Sequence, residues 1–269
     1  MRTYLSWSEV STWLNCQLQW QWKYGEGLRP QGAGTIEQQM GKAAHHMLQR
    51  HYSAAAKDRG APLLEKATEE AFNLLELDEW ENPKMRWQQL VGMANTISRT
   101  WGRDTDFDGM ITETVIEAPV PWDGEFKTYY CIPDAFALVN KGRTGVILSH
   151  KTRLSSLPMT HILTHYHQQL RLEAWALKEV YGVRTVELYL NALTPKQAQR
   201  EGPFLYTDRE HEFTTVELRR MFEQVGKEKW VARPGPHCFG CDYKNLHDIM
   251  AEGGNLVEAK EEYRDEYRG

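Results

Sequence analysis

An α/β fold, with a mixed central sheet flanked by helices and a helical insertion ahead of it, is predicted by three observations. Apolar residues recur at helical spacing through the N-terminal third. From Ile111 the apolar segments shorten and are separated by the turn pairs Asp123-Gly124 and Lys141-Gly142. A long helical stretch from Thr160 to Tyr181 then leads through Gly182 into a β-branched run, Thr185 to Leu193. Hairpin strands followed by a helix and another strand are the pattern of a mixed sheet with a crossover.

Each element has a local reason. Ser6-Trp7-Ser8-Glu9-Val10 is a serine-capped start with an acid in the first turn, and Val10, Trp13 and Leu14 continue at helical spacing, predicting a helix from about Ser8 to Tyr24. Gly32-Ala33-Gly34 breaks the chain before a second helix, Thr35 to Tyr52. Leu63 to Trp101 predicts two long helices with a break at Asn82-Pro83. Strands follow at Ile111 to Val120, Lys127 to Val139, Gly145 to Leu148, Thr185 to Leu193 and Phe204 to Phe213, with a helix from Val216 to Val231 and then Pro234-Gly235-Pro236. The expected domain runs over 1–251, with a helical part at about 1–104, an α/β core at about 111–213 and a C-terminal helix and cysteine region at about 214–247. A charged tail, 252–269, is expected to be a solvated helix or disordered.

Of 269 residues, 41% are hydrophobic and 26% charged, with 32 bases against 37 acids. That composition excludes a disordered, collagen-like or coiled-coil chain. The net charge of −5 argues against a protein that coats nucleic acid through bulk electrostatics. Its distribution is uneven: residues 61–139 hold six bases and fifteen acids, whereas 140–251 hold sixteen bases and twelve acids. A local basic channel beside acidic surfaces is therefore compatible with the balance. Four cysteines are too few for a disulfide scaffold, MRTYLSWSEV lacks the apolar core of a signal peptide, and no apolar run is long enough to span a bilayer. A reducing, cytoplasmic setting is the expectation.

Three constellations can carry chemistry. Pro133-Asp134 on one strand is followed on the next by Ser149-His150-Lys151. Alternate strand residues share a face, so Ser149 and Lys151 point one way and His150 the other. An aspartate and a lysine on paired strands can meet over one attacking water with a divalent cation held by the carboxylate; a surface strand pair with a salt bridge has the same spacing. Gly41-Lys42-Ala43-Ala44-His45 on the second helix is weak in isolation. Cys238-Phe239-Gly240-Cys241 is the spacing of a metal knuckle, because two thiolates that close in sequence can share one tetrahedral ion.

In order, these pieces resemble the PD-(D/E)XK nuclease superfamily, in particular its RecB-like exonuclease branch and the related CRISPR-associated nucleases. The resemblance is carried by Leu5-Ser6-Trp7-Ser8 followed by Cys16, by Gly41 to His45, Glu117, Pro133-Asp134, His150-Lys151-Thr152 and Gln169-Leu170. It implies a restriction-endonuclease-like core acting on DNA with Mg²⁺ or Mn²⁺. His45 and Asp134 would be metal ligands, Lys151 the catalytic lysine and Gln169 a residue that places the substrate backbone, with Glu117 either assisting or capping a strand. It also implies a role in recombination, repair or spacer processing in a bacterium or its phage, with a protein partner from one of those systems.

One position departs from the family's pattern. Ser149 stands where an acid is usual, two residues before the lysine, and a neutral hydroxyl is a poor ligand for a hard cation. Either the acid has moved to Glu173, four residues after Gln169 on the same helix face, or the site is altered and the protein is a catalytically weak DNA-binding or adaptor protein. By the same resemblance Cys16, Cys238, Cys241 and His247 fall where iron–sulfur members carry their ligands. The set implies a C-terminal clasp holding a [4Fe-4S] cluster or, with histidine in the last place, a structural Zn²⁺. Cys131 reads as a buried strand residue.

Overall fold

The computed structural model describes residues 3–28, 30, 35–77, 82–124, 126–155, 159–225, 232–261 and 263. Contacts divide the chain into two units, Met1–Gly34 with Trp122–Lys127 and Glu217–Gly269, and Thr35–Pro121 with Thr128–Val216. The expected core at about 111–213 therefore belongs to the second unit except for residues 122–127. The Gly32-Ala33-Gly34 break, the expected helix end at 226–231 and the last residues of the tail, 264–269, lie outside the described residues.

In the first unit a short strand, β1 (Tyr4–Ser6), runs into α1 (Trp7–Asn15). The helix starts with a capping box in which the Ser6 amide donates to Glu9 at 2.8 Å. The single helix expected to Tyr24 is broken at Cys16, whose extended backbone ends α1 and starts α2 (Gln17–Trp20), followed by a π-turn, Gln21–Gly25. Leu18, Trp22 and Leu28 are buried with Tyr243 and with Leu246 of α8 (Lys244–Ala251). The tail does not stay in solvent throughout: α9 (Leu256–Glu261) buries Ala259 in that cluster and pairs Lys260 with Glu26 at 2.8 Å.

The second unit holds the sheet. Its helix α3 (Ile36–Ser53) is the one expected over Thr35 to Tyr52, and α4 (Ala61–Phe72) and α5 (Pro83–Thr100) are the two expected over Leu63 to Trp101. Met40, Met47, Leu48, Leu64, Leu90 and Ile97 share a core with Ala135, Val146, Leu148 and Leu193 from the sheet. The strand expected over Ile111 to Val120 is two strands, β2 (Ile111–Thr112) and β3 (Ile116–Pro119), and that over Lys127 to Val139 is β4 (Thr128–Cys131) and β5 (Ala135–Val139). β3 pairs with β4, whereas β2 pairs with β5, so both segments change sheet midway. The first change falls at Glu113, whose φ of +49° turns the chain. The second falls at Pro133, which has no N–H for a ladder.

The five-stranded sheet runs β2-β5-β6-β7-β8, with β6 (Thr144–Thr152) antiparallel to β5 and parallel to β7 (Thr185–Leu193). The parallel step requires a crossover, supplied by α6 (Met159–Tyr181). A Cβ on Gly145 would stand 2.5 Å from Leu177, so glycine there is what lets α6 lie against β6. The strand expected over Phe204 to Phe213 is corrected: β8 is Ala198–Tyr206, and α7 (Asp208–Gln224) starts where strand had been expected. Thr207 caps it with its amide on Glu210 at 3.1 Å, a Thr-x-x-Glu signal that was present in the sequence.

Candidate active site

Asp134 lies just before β5, at the end of the sheet where β6 carries Ser149 to Lys151. Its Oδ2 accepts the His150 amide at 2.5 Å and the Ser149 hydroxyl at 3.2 Å, and its Oδ1 meets Nδ1 of His45, on α3, at 3.2 Å. Burial opposes ionisation of Asp134, but the hydrogen bond and charge of His45, with His150 and Lys151, hold its carboxyl well below the usual carboxylate range.

The third member of the group is Glu113. Ligand atoms of His45, Glu113 and Asp134 all lie within 4.8 Å of one another. Desolvation and then the Asp134 charge push the Glu113 carboxyl up, as two acids sharing one site require. Its left-handed backbone costs a non-glycine residue about 1 kcal/mol or more, strain of the kind that collects at functional sites. Glu117, the acid singled out in sequence, is exposed on β3 opposite Tyr130. Nothing in the local sequence distinguished Glu113 from it; the positive φ that delivers Glu113 is a property of the folded chain. One imidazole and two carboxylates suit a hard divalent cation.

On β6 the alternation holds. Lys151 reaches the Gln169 carbonyl at 3.3 Å, with its ammonium 4.4 Å above the Tyr166 ring. Gln169 in turn donates to Glu173 at 2.7 Å. Glu173 is 2% exposed, and burial first, then the Asp134 charge, push its carboxyl up to about 7 against the pull of Lys151 and Gln169. Glu173 falls outside the three-residue group. His150 faces the other way, stacked on Tyr52 at 5.2 Å with Asn191 at 3.3 Å from Nδ1, and burial pushes it down to about 3. Behind it, Arg200 grips both Asp104 oxygens at 2.9 and 2.6 Å, donates to Tyr52 at 2.9 Å and to Asn191 at 2.8 Å.

The cysteine region lies in the first unit. Cys16, Cys238, Cys241 and His247 line one cavity of about 230 Å³, and none of the cysteines is joined in a disulfide. Burial pushes the Cys241 thiol up, with the neighbouring Cys16 and Cys238 thiols acting in the same direction. Among the described residues these donors do not form a group of three within 4.8 Å, a wider spread than the roughly 4 Å between ligands of a tetrahedral zinc with bonds of about 2.3 Å. His237, which sequence reasoning passed over, lines the same cavity, its Nε2 buried and without a partner among the described residues. Cys131 is buried, as expected.

The fold, a mixed sheet with His, two carboxylates and a lysine at one end, defines a class before any comparison does. The chain belongs to the PD-(D/E)XK nuclease superfamily, whose family model matches residues 4–246. None of the curated proteins matches the sequence. Among solved structures, a candidate exonuclease from Eubacterium rectale superposes with a TM-score of 0.53 at 10% identity, over 86% of this chain and 84% of that one. The crystal structure of SSO0001 gives a TM-score of 0.47 at 11% identity, over 91% of this chain and 85% of the other. Among the described residues, no helix is long and apolar enough to cross a membrane.

Proposed function

We propose that the protein is a metal-dependent deoxyribonuclease that hydrolyses phosphodiester bonds exonucleolytically, on single-stranded DNA or at duplex ends. The observation that carries this reading is the placing of Lys151 beside a group of one imidazole and two carboxylates. His45, Asp134 and Glu113 would hold Mg²⁺ or Mn²⁺, so the acid missing at Ser149 is supplied from the loop between β2 and β3. When bound, the cation supplies Lewis acidity at the phosphoryl oxygen and makes water more acidic. Lys151, a donor-only cation, orients the attacking oxygen and offsets phosphate charge. Gln169 holds Lys151 and places the substrate backbone. Glu173 adds negative charge to this wall of the site and is the other candidate for the displaced acid.

The family membership supports a place in recombination, repair or spacer processing in the cytoplasm of a bacterial or phage-infected cell, with a protein partner from such a system. For the cysteine cavity we favour a [4Fe-4S] cluster over Zn²⁺, because the donors are spread more widely than one ion takes. A second reading, an inert DNA-binding or adaptor protein, is favoured by Ser149 alone. The two separate in an assay on labelled single-stranded DNA with Mn²⁺. Cleavage abolished by Lys151→Ala is expected; an inert parent revived by Ser149→Asp would establish the second reading, and cleavage indifferent to Lys151→Ala would sink the site.

A further inference from the structure

The side chains on the α6 wall form an ordered relay. Lys151 Nζ donates to Gln169 Oε1 at 3.3 Å, and Gln169 Nε2 donates to Glu173 Oε1 at 2.7 Å. A primary amide has one donor end and one acceptor end, and only its acceptor end can meet an ammonium. Something must therefore claim the NH₂ end, or the amide is free to turn and set donor against donor. Glu173 is the residue that claims it. Its carboxyl is buried, it stands one helical turn beyond Gln169, and its second oxygen has no hydrogen-bond partner among the described residues. It also stands outside the His45, Glu113 and Asp134 group.

We infer that Glu173 is a positioning residue that acts through Gln169: it holds the amide with its carbonyl toward Lys151 and so fixes where the lysine ammonium stands. The inference rests on the nuclease reading of Lys151 and takes Glu173 out of the metal's ligand set. Tyr166, beneath the ammonium, limits the remaining freedom of the lysine.

The test uses the full chain, a labelled single-stranded oligonucleotide and Mn²⁺, with single-turnover rates and Mn²⁺ affinity measured separately. Glu173→Met keeps the length and removes the acceptor; the cleavage rate is expected to fall about tenfold or more, the loss of one charge-assisted hydrogen bond, with Mn²⁺ affinity unchanged within about twofold. Glu173→Gln retains an acceptor and is expected to recover most of the rate. Glu173→Gln also keeps the side chain's shape, so its rate and Mn²⁺ affinity keep the test open where the methionine variant fails to fold. A Glu173→Gln variant whose Mn²⁺ affinity collapses would make Glu173 a metal ligand and overturn the inference, as would a folded Glu173→Met variant with the parent's rate. Parent activity in Lys151→Ala would instead remove the nuclease reading on which the inference stands.

Discussion

The Ser149 hydroxyl donates to Asp134 at 3.2 Å, on the same oxygen that takes the His150 amide. The residue in the place of the family's second acid therefore orients the first one. The second carboxylate arrives from elsewhere: Glu113 comes in from a turn 21 positions before Asp134 in sequence. A Ser149→Asp exchange adds a third carboxylate to a site already holding two. Without metal it should lower stability by about 1–3 kcal/mol through like-charge repulsion and lost hydrogen bonding, and Mn²⁺ should restore it. Thermal melts with and without Mn²⁺ read both halves; a metal-free variant as stable as the parent would contradict the geometry.

Glu113→Gln should weaken Mn²⁺ binding about tenfold or more, since it removes one of two anionic ligands from a hard cation. Glu117→Gln, on the exposed face of β3, should leave that affinity within about twofold. Titration followed by the electron-spin signal of free Mn²⁺ compares the two, and the reverse ranking would return the ligand role to Glu117.

Stability should depend on pH through Glu173. Its folded value of about 7 lies above the ordinary 4.5, so between those values the unfolded chain has released a proton that the folded chain keeps. The stability contributed is complete below about 4.5 and is lost as pH rises through about 7, a change on the order of 3 kcal/mol. Melting temperatures in chelator should therefore fall more steeply from pH 5 to 8 in the parent than in Glu173→Gln. Parallel slopes would show that the carboxyl ionises freely in the fold.

Asp104 has an 8% exposed side chain and Arg200 a 19% exposed one, and they meet at 2.6 Å. Removing one partner leaves the other charge buried, which costs about 3–5 kcal/mol. Asp104→Ala should cost that much in urea unfolding, and Arg200→Met added to it should cost far less than the sum of the singles. Additive losses would mean that the two are not coupled.

The cysteine cavity makes a spectroscopic prediction. Protein prepared without oxygen should be brown with broad visible absorption, and Cys16→Ala or Cys238→Ala should lose that colour and melt lower. A colourless preparation carrying stoichiometric zinc would assign the cavity to the ion instead.

Much of this was legible in order along the chain. Periodicity marked α3 and α6 to within a residue or two and β7 over its whole length, strand alternation placed Lys151 opposite His150, and the family resemblance carried by Gly41 to His45 and Pro133-Asp134 pointed to two of the three residues that come together. These are short-range properties, written in side-chain sequence and backbone sterics. At Thr207 the capping signal follows directly on the apolar Phe204-Leu205-Tyr206, so strand and helix patterns adjoin there.

Other features have no local signature. That Glu113 and not Glu117 joins Asp134 depends on a left-handed turn and on β2 and β3 entering different sheets. The shift of Glu173 to about 7 depends on what buries it and on the field of Asp134. The order of residues along the chain sets the kinds of element and supplies most of the reactive groups. Which carboxylates share a cation site, and which stays buried behind an amide, was decided by tertiary structure, because both distance and desolvation arise only when segments far apart in the chain are brought together.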